Sequence, residues 1–570
     1  MQTKGDIKRK SLVGFIAIVA TVILLAMLSS FLRIRLDLTE DKRFTLSKQS
    51  HEILSDLKND IYIQVWLDGD MPVEFKKLRR SVRELLDEFR ILSGKRIDFE
   101  FINPSAAGDV AQREAQYTSL IGKGLNPINI QSGDEEGGSS QKIIFPGMLV
   151  NYNGTEVPVN FLSNNPAVSP EQNLLHSIEG LEYEMIQTVA TLSADTIYKI
   201  AFIEGHDEYS EIETGDLTLN LARFFTIDRG VIGGKPGILD DYTAIIIAGP
   251  EKEFTENDKF VIDQYIMNGG KVLWLLEEVY VDSDSLTLGR STSIYRPLNL
   301  DDQLFRYGVR LNPIMVQDLD CSLIPLTIVT GESNRQVVPS PWPWYPLLQP
   351  SSAHPVTRNI NKVRAQFANY LDTVGLDPQI KKTVLLSTSP LTRLISPPAE
   401  ISLEEAAVAP DERAFSGGRL PVAVLLEGVF PSAFRNRITD NLAGGSNIRV
   451  RNESDPTKMI VIADGDVIRN DIMRSGTSEA PYPLGQDRYT GQMFGNRDFL
   501  INCLNYLADD KGLLELRSRE MKMRLLNRTK IRQEKTKWQV INVAGPVVVV
   551  ILYGLAYSFF RKRKYAKSGV

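Results

Sequence analysis

The chain has 570 residues, with 65 Lys and Arg against 71 Asp and Glu for a formal net charge of −6, and only two cysteines, Cys321 and Cys503. Two cysteines exclude a disulfide framework, and two isolated thiols are favoured over the one possible bridge. No CxxC or paired Cys/His spacing occurs and the four histidines (His51, His176, His206, His354) are scattered, which argues against a structural zinc site.

Residues 1–10 carry +3, 515–537 carry +6 and 561–570 carry +5, which leaves −20 on 11–514. An acidic body argues against a nucleic-acid partner, which would select a basic face.

The first predicted element is the uncharged run Ser11 to Leu32. A helix rises about 1.5 Å per residue and the hydrocarbon core is about 30 Å thick, so about 20 apolar residues make a span. A signal peptide is the competing reading, but its apolar centre usually runs about 7–15 residues, and no convincing A-x-A site follows here. Asp37-Leu38-Thr39 and Phe44-Thr45-Leu46-Ser47 come next, with Ser47 or Thr45 placed to cap a short helix through Ile53 and Leu54. Ile61–Leu67 reads as a strand. Phe75, Leu78, Val82, Leu85, Leu86, Phe89 and Leu92 recur at helical spacing, and Ile97–Ile102 alternates as a second strand, which implies a βαβ unit. Gln131–Gln141 is a polar loop. Ile143–Tyr152 and Thr155–Phe161 form a hairpin turning at Asn153-Gly154.

Glu171–Leu192 is helical by pattern and joins two domains, as expected of roughly 500 residues that exceed one core. Beyond it strands and helices alternate: strand Ile197–Ile203, helix Asp216–Phe225, strand Ala244–Ala248, helix Thr255–Met267 and strand Lys271–Leu276. That alternation predicts a doubly wound parallel sheet. Further strands are expected at Thr383–Leu386, Val422–Leu426 and Met459–Ala463, with a helix over Arg497–Leu507. Between them Pro339, Pro341, Pro343, Pro346, Pro350 and Pro355 alternate with Trp342, Trp344 and Tyr345 in an extended arm. Those aromatics either pin the arm to its own domain, the favoured reading, or form an exposed partner patch.

The last predicted element is a second uncharged run, Trp538 to Phe560. Basic residues flank both runs on the outer side: Lys4, Lys8, Arg9 and Lys10 before the first, and Arg561, Lys562, Arg563, Lys564 and Lys567 after the second. The positive-inside bias then places both tails in the cytoplasm and the body outside it. The basic stretch before the second run opposes this; it reads either as a stalk near anionic headgroups or as a solvated helix face.

Sites of chemistry are sparse. Each Gly-Lys pair lacks the following Ser or Thr of a phosphate-binding loop, no G-x-S-x-G elbow occurs, and Phe415-Ser416-Gly417-Gly418-Arg419 reads as a turn. Three loops leaving strand ends are candidates: Glu204-Gly205-His206-Asp207-Glu208, Gly249-Pro250-Glu251 and Asp464-Gly465-Asp466. On one rim of an open α/β sheet, His206, Glu208, Asp464 and Asp466 could hold a metal or perform acid/base work. Solvated turn residues are the favoured reading, so neither a catalytic residue nor a cofactor or metal ligand is assigned.

Four features carry a family resemblance: Asp37-Leu38-Thr39 with Phe44-Thr45-Leu46-Ser47, the Gly205-His206-Asp207-Glu208 turn, the run Asp263-Gln264-Tyr265-Ile266-Met267-Asn268-Gly269-Gly270-Lys271-Val272, and Gly495-Asn496-Arg497-Asp498-Phe499-Leu500-Ile501-Asn502. Together they resemble the GldG-type auxiliary subunits of ABC transporters, associated with gliding motility. The resemblance implies an α/β protein with two transmembrane helices, 11–32 and 538–560, between cytoplasmic tails 1–10 and 561–570. It implies a thioredoxin-like domain over 33–165, a connecting helix over 166–192, a glutamine-amidotransferase-like α/β domain over 193–512 without a catalytic cysteine, and a basic stalk over 513–537. The expected function is that of a non-catalytic subunit without cofactors, in the inner membrane with a periplasmic body. Its expected partners are an ABC permease, a separate ATPase, the membrane and possible further copies of itself. An extracytoplasmic hydrolase using the rim acids is the alternative.

Overall fold

The structure is a computed structural model that describes residues 13–17, 19–21, 23–24, 27, 46–106, 108–133, 139–162, 169–194, 198–330, 334–375, 377–437, 450–476, 478–509, 512–513 and 528–565. The chain divides into two units, Met1–Arg43 with Glu520–Val570, and Phe44–Arg519.

In the second unit Ser47 opens α1 (Lys48–Ser55), its hydroxyl accepting from Ser50 N at 3.0 Å and so satisfying one of the unpaired N–H groups of the first turn. Thr45, the other expected cap, lies outside the described residues, as do Asp37-Leu38-Thr39 and Phe44. β1 (Ile61–Val65), α2 (Val73–Leu92) and β2 (Ile97–Phe101) form the expected βαβ unit, with β1 and β2 parallel. Leu78, Val82, Leu86 and Phe89 of α2 are fully buried. After α3 (Val110–Gly122), β3 (Ile128–Gly133) and β4 (Ser139–Ile144) pair as a separate ribbon. The polar loop expected over Gln131–Gln141 therefore includes strand at both ends, where backbone pairing forms without an apolar alternation; 134–138 lie outside the described residues. Pro146 separates β4 from β5 (Gly147–Tyr152), so the strand expected from Ile143 is split. β5 turns into β6 (Thr155–Asn160) through Asn153 and Gly154, both at positive φ (50° and 86°) as a two-residue hairpin turn requires. The sheet order is β2-β1-β5-β6.

α4 (Pro170–Ser193) starts with a capping box between Ser169 and Gln172 and with proline in its first turn. Glu182 on α4 accepts from Ser47 N at 2.8 Å and Ser50 Oγ at 2.7 Å, which ties α1 to it. Leu181, Met185, Ile186 and Val189 are buried, and one apolar cluster runs from Ile53 through this helix into the larger sheet.

That sheet begins with β7 (Lys199–Glu204), α5 (Gly215–Leu221), β8 (Thr226–Val231), β9 (Ala244–Ala248), α6 (Glu256–Met267) and β10 (Lys271–Leu275). β8 has no counterpart among the sequence expectations, which run the preceding helix on to Phe225. It is a half-exposed edge strand and lacks the continuous apolar run that marks β9. Short strands follow: β11 (Val279–Val281), β12 (Arg290–Tyr295), β13 (Val309–Asn312) and β14 (Met315–Asp318). Next come β15 (Cys321–Thr330), β16 (Asn334–Pro350), β17 (Val363–Arg364), β18 (Tyr370–Thr373), β19 (Ile380–Ser387), β20 (Thr392–Ile395), β21 (Glu400–Ser402), β22 (Pro421–Gly428), β23 (Thr457–Ile462) and α7 (Asn496–Ala508). The sheet order is β15-β16-β19-β22-β23-β10-β9-β7-β8. β8, β7, β9, β10 and β23 run parallel, whereas β22, β19, β16 and β15 add antiparallel pairs. The sheet is therefore mixed and not wholly parallel, because apolar strand sequences do not encode the direction of pairing. The proline-rich arm is β16. Trp342 and Trp344 are buried beside Phe367, at 5.8 and 6.3 Å between ring centroids, so the aromatics pin the arm to its own body.

In the first unit, α8 (Arg528–Tyr565) is 38 residues long and contains the 27-residue stretch Glu534–Phe560, in which an 18-residue window has a mean hydropathy of 2.0 and no buried residue. At about 1.5 Å per residue that stretch is about 40 Å long, enough to cross a bilayer. Described residues of the first apolar run are helical, with Val13, Phe15, Ile16, Ile23, Leu24 and Met27 exposed; the rest of Ser11–Leu32 lies outside the described residues, as do 1–10, 514–527 and 566–570.

α6 is buried along most of its length, which places Asp263 in the interior with no access to water. Its carboxylate accepts from Ala433 N (2.8 Å), Ser432 Oγ (2.7 Å), Tyr307 OH (2.9 Å) and Gln264 Nε2 (2.9 Å). Burial raises its pKa against the pull of those four donors. Asp263→Ala orphans several buried donors, and we expect it to lower unfolding free energy by about 3 kcal/mol in urea titration, with Asp263→Asn losing less.

Candidate functional site

The C-terminal ends of β7, β9, β10 and β23 open on one rim because these strands are parallel, the place where open α/β sheets bind ligands. All four predicted residues lie in the turns there, and the structure sorts them into two groups.

His206 follows β7 and is 4% exposed, stacked on Phe254 at 3.7 Å between centroids. Its Nδ1 meets Glu208 Oε1 at 3.1 Å and its Nε2 meets Asp258 Oδ2 at 3.3 Å. Asp258 lies in the first turn of α6, where Thr255 caps the helix, and it also accepts from Thr255 Oγ1 (2.8 Å) and Gly234 N (2.8 Å). Glu208 Oε2 accepts from His206 N at 2.7 Å. This is a buried clasp between three chain segments, with both ring nitrogens engaged, and not the solvated turn expected from the sequence. Burial alone would lower the His206 pKa, but hydrogen bonds and charge from Glu208 and Asp258 outweigh it and raise the value.

Asp464 and Asp466 follow β23 and are joined by Glu277, which the sequence reading missed. Two residues beyond the paired Leu275 and Ile462, the chain reaches Glu277 on one strand and Asp464 on its neighbour. The signal was the same in both places: an acidic residue straight after a buried apolar strand, Leu273–Leu276 or Ile460–Ala463. One carboxylate oxygen from each of Glu277, Asp464 and Asp466 lies within 4.8 Å of the others. Asp464 is 0% exposed, and its Oδ2 accepts from Gln366 N at 2.8 Å. Burial first, and then the negative charge of Asp466, push both Glu277 and Asp464 upward in pKa, opposed by nearby backbone N–H groups.

Tyr209 links the two groups. It directly follows Glu208, and its hydroxyl donates to Asp466 Oδ1 at 2.9 Å. Arg229 on β8 holds this loop by donating to Tyr209 O (2.7 Å) and pairing with Glu204 (2.8 Å). Arg469 lies over the Tyr209 ring and pairs with Glu213 at 2.9 Å and with Asp466 at 3.4 Å. The ring fits only because Gly249 and Gly465 flank it. A Cβ on Gly249, whose φ is +59°, would lie 2.4 Å from Tyr209 Cε2, and one on Gly465 would lie 2.9 Å from Gly249 Cα. Beyond Asp466 and Arg469 the rim opens into a cavity of about 430 Å³, also lined by Arg364, Tyr345, Arg488 and Asn496.

A family model described as an ABC-type uncharacterized transport system matches residues 198–503, more than half of the chain. The chain belongs to this family. Every rim residue named above falls within the matched span, and membership assigns the protein to ABC-type transport as an auxiliary component. A second model, a domain of unknown function, matches residues 40–151. No curated protein matches. A solved structure described as "mmIFT52 N-terminal domain" is 14% identical, with 55% of this chain and 98% of that chain covered and a TM-score of 0.31.

Other residues of the family resemblance act as ties around the rim. Asn496 donates to Arg364 O (2.8 Å) and Val467 O (3.1 Å), and its Oδ1 accepts from Arg364 N (2.9 Å). Gly495 lies against Asn361, whose carbonyl oxygen would be 2.3 Å from any added Cβ.

Two outcomes are expected. Gly249→Ala drives a methyl group into the Tyr209 ring and forces a strained backbone, lowering stability by about 2–3 kcal/mol in chemical denaturation. The raised pKa of His206 adds stability that is complete below its unfolded value of about 6.5 and is lost as pH rises through the higher folded value. The thermal midpoint should therefore fall as pH is raised above about 6.5, and His206→Gln should flatten that part of the profile.

Proposed function

We propose that the protein is a two-span, membrane-anchored auxiliary subunit of an ABC transporter in the inner membrane. Its acidic body lies in the periplasm, where it binds a partner or substrate and changes conformation without performing chemistry. The observation that carries this reading is the family match over 198–503. The exposed apolar stretch Glu534–Phe560 supports an anchor, and the basic flanks at both ends of the chain support cytoplasmic tails. The partners are a multi-span permease and a separate ATPase, consistent with the lack of a phosphate-binding loop in this sequence. Association with gliding motility rests on the resemblance of its motifs to GldG-type subunits.

Affinity purification of the intact protein in mild detergent should recover a permease and an ATPase in fixed ratio; a reproducibly solitary chain would overturn the proposal. Protease added to intact spheroplasts should digest the body from outside. Digestion only after lysis would place the body in the cytoplasm instead.

A further inference from the structure

Three carboxylates converge where β10 and β23 end, and one buried oxygen among them has no hydrogen-bond partner among the described residues. Tyr209 OH and Arg469 both approach the same atom, Asp466 Oδ1, at 2.9 and 3.4 Å. Gln366 N occupies Asp464 Oδ2. Asp464 Oδ1 has no hydrogen-bond partner among the described residues, although Asp464 is 0% exposed. A buried carboxylate oxygen without a donor is costly and rare, and an ion is one of the few things that satisfies it.

We propose that Glu277, Asp464 and Asp466 bind one hard divalent cation, with Asp464 Oδ1 as the innermost ligand. The donor set is all oxygen, which selects the calcium and magnesium class over zinc or copper. Calcium is favoured within that class, because Ca²⁺ accepts flexible sets of carboxylate and carbonyl oxygens whereas Mg²⁺ demands near-ideal octahedral geometry and dehydrates reluctantly. The three ligand atoms lie within 4.8 Å of one another, close enough to converge on one ion.

The frame is built for this. Glu277 and Asp464 occupy neighbouring turns that leave the hydrogen-bonded strand pair β10 and β23. Asp466 is held by Tyr209, and it also lines the 430 Å³ cavity. A cation there keeps its outer coordination positions open to water or to an acidic group entering the cavity beside Arg469. The inference does not depend on the side of the membrane or on the transport partners.

The test uses the full chain in detergent, stripped with a chelator and returned to Ca²⁺, Mg²⁺ or Mn²⁺ by equilibrium dialysis. We expect one Ca²⁺ per chain at roughly millimolar concentration or below, a higher thermal midpoint on adding Ca²⁺, and weaker retention of Mg²⁺. Glu277→Gln and Asp464→Asn should each weaken Ca²⁺ retention about tenfold or more. Each should also raise the midpoint of the chelated protein, because one of three repelling charges is gone. Glu277 is partly exposed, so Glu277→Gln tests the site even if Asp464→Asn fails to fold. Absence of retained Ca²⁺ would overturn the proposal in favour of a proton-sharing carboxyl cluster, and unchanged retention in Glu277→Gln would move the ion elsewhere.

Discussion

Parallel pairing of β7, β9, β10 and β23 means that four consecutive exits from the sheet occur on the same edge. Each strand is buried on both faces, as β9 shows with five buried residues in a row, so its polar residues are displaced to the turns that follow. Polar groups expelled from four neighbouring strands must then share one small volume. The His206 clasp and the carboxylate triad are two ways of satisfying them.

Tyr209 makes that crowding workable. Its ring fills the space between Gly249 and Gly465, which are held close enough that neither tolerates a side chain. Its hydroxyl reaches Asp466, while the residue before it, Glu208, grips His206. The two groups of polar residues are thus mechanically connected through a single peptide. Arg229 and Arg469 bring positive charge to this loop from either side. A ligand entering the cavity beside Asp466 would meet a surface whose position depends on that loop.

Much of the secondary structure was legible. β1, β2, β9, β10 and β23 each have apolar or alternating runs bounded by turn residues, and Ser47 caps its helix through its side-chain oxygen. β8 was not legible, because an edge strand buries too little to leave a pattern. Nor was the antiparallel direction of β22, since its buried run Val422–Leu426 is as apolar as that of a parallel strand. Among the rim residues, His206, Glu208, Asp464 and Asp466 could be named from turns after strands. Their grouping could not, because Asp258 and Glu277 approach from segments far away in sequence. Motif residues such as Asp263, Gly495 and Asn496 also had no visible purpose until their partners were known. Each ties a helix to a distant loop.

By itself the sequence determined the apolar ends, the acidic body with its basic flanks, and buried or alternating strands such as β1, β2, β9, β10 and β23. These are properties of local composition and periodicity, which neighbouring residues carry without reference to the rest of the fold. Only the tertiary structure decided which strand lies beside which, that His206 is a buried clasp, and that Glu277 stands opposite Asp464. Strand pairing joins residues separated by nearly two hundred positions, and burial is a property of everything packed around a side chain.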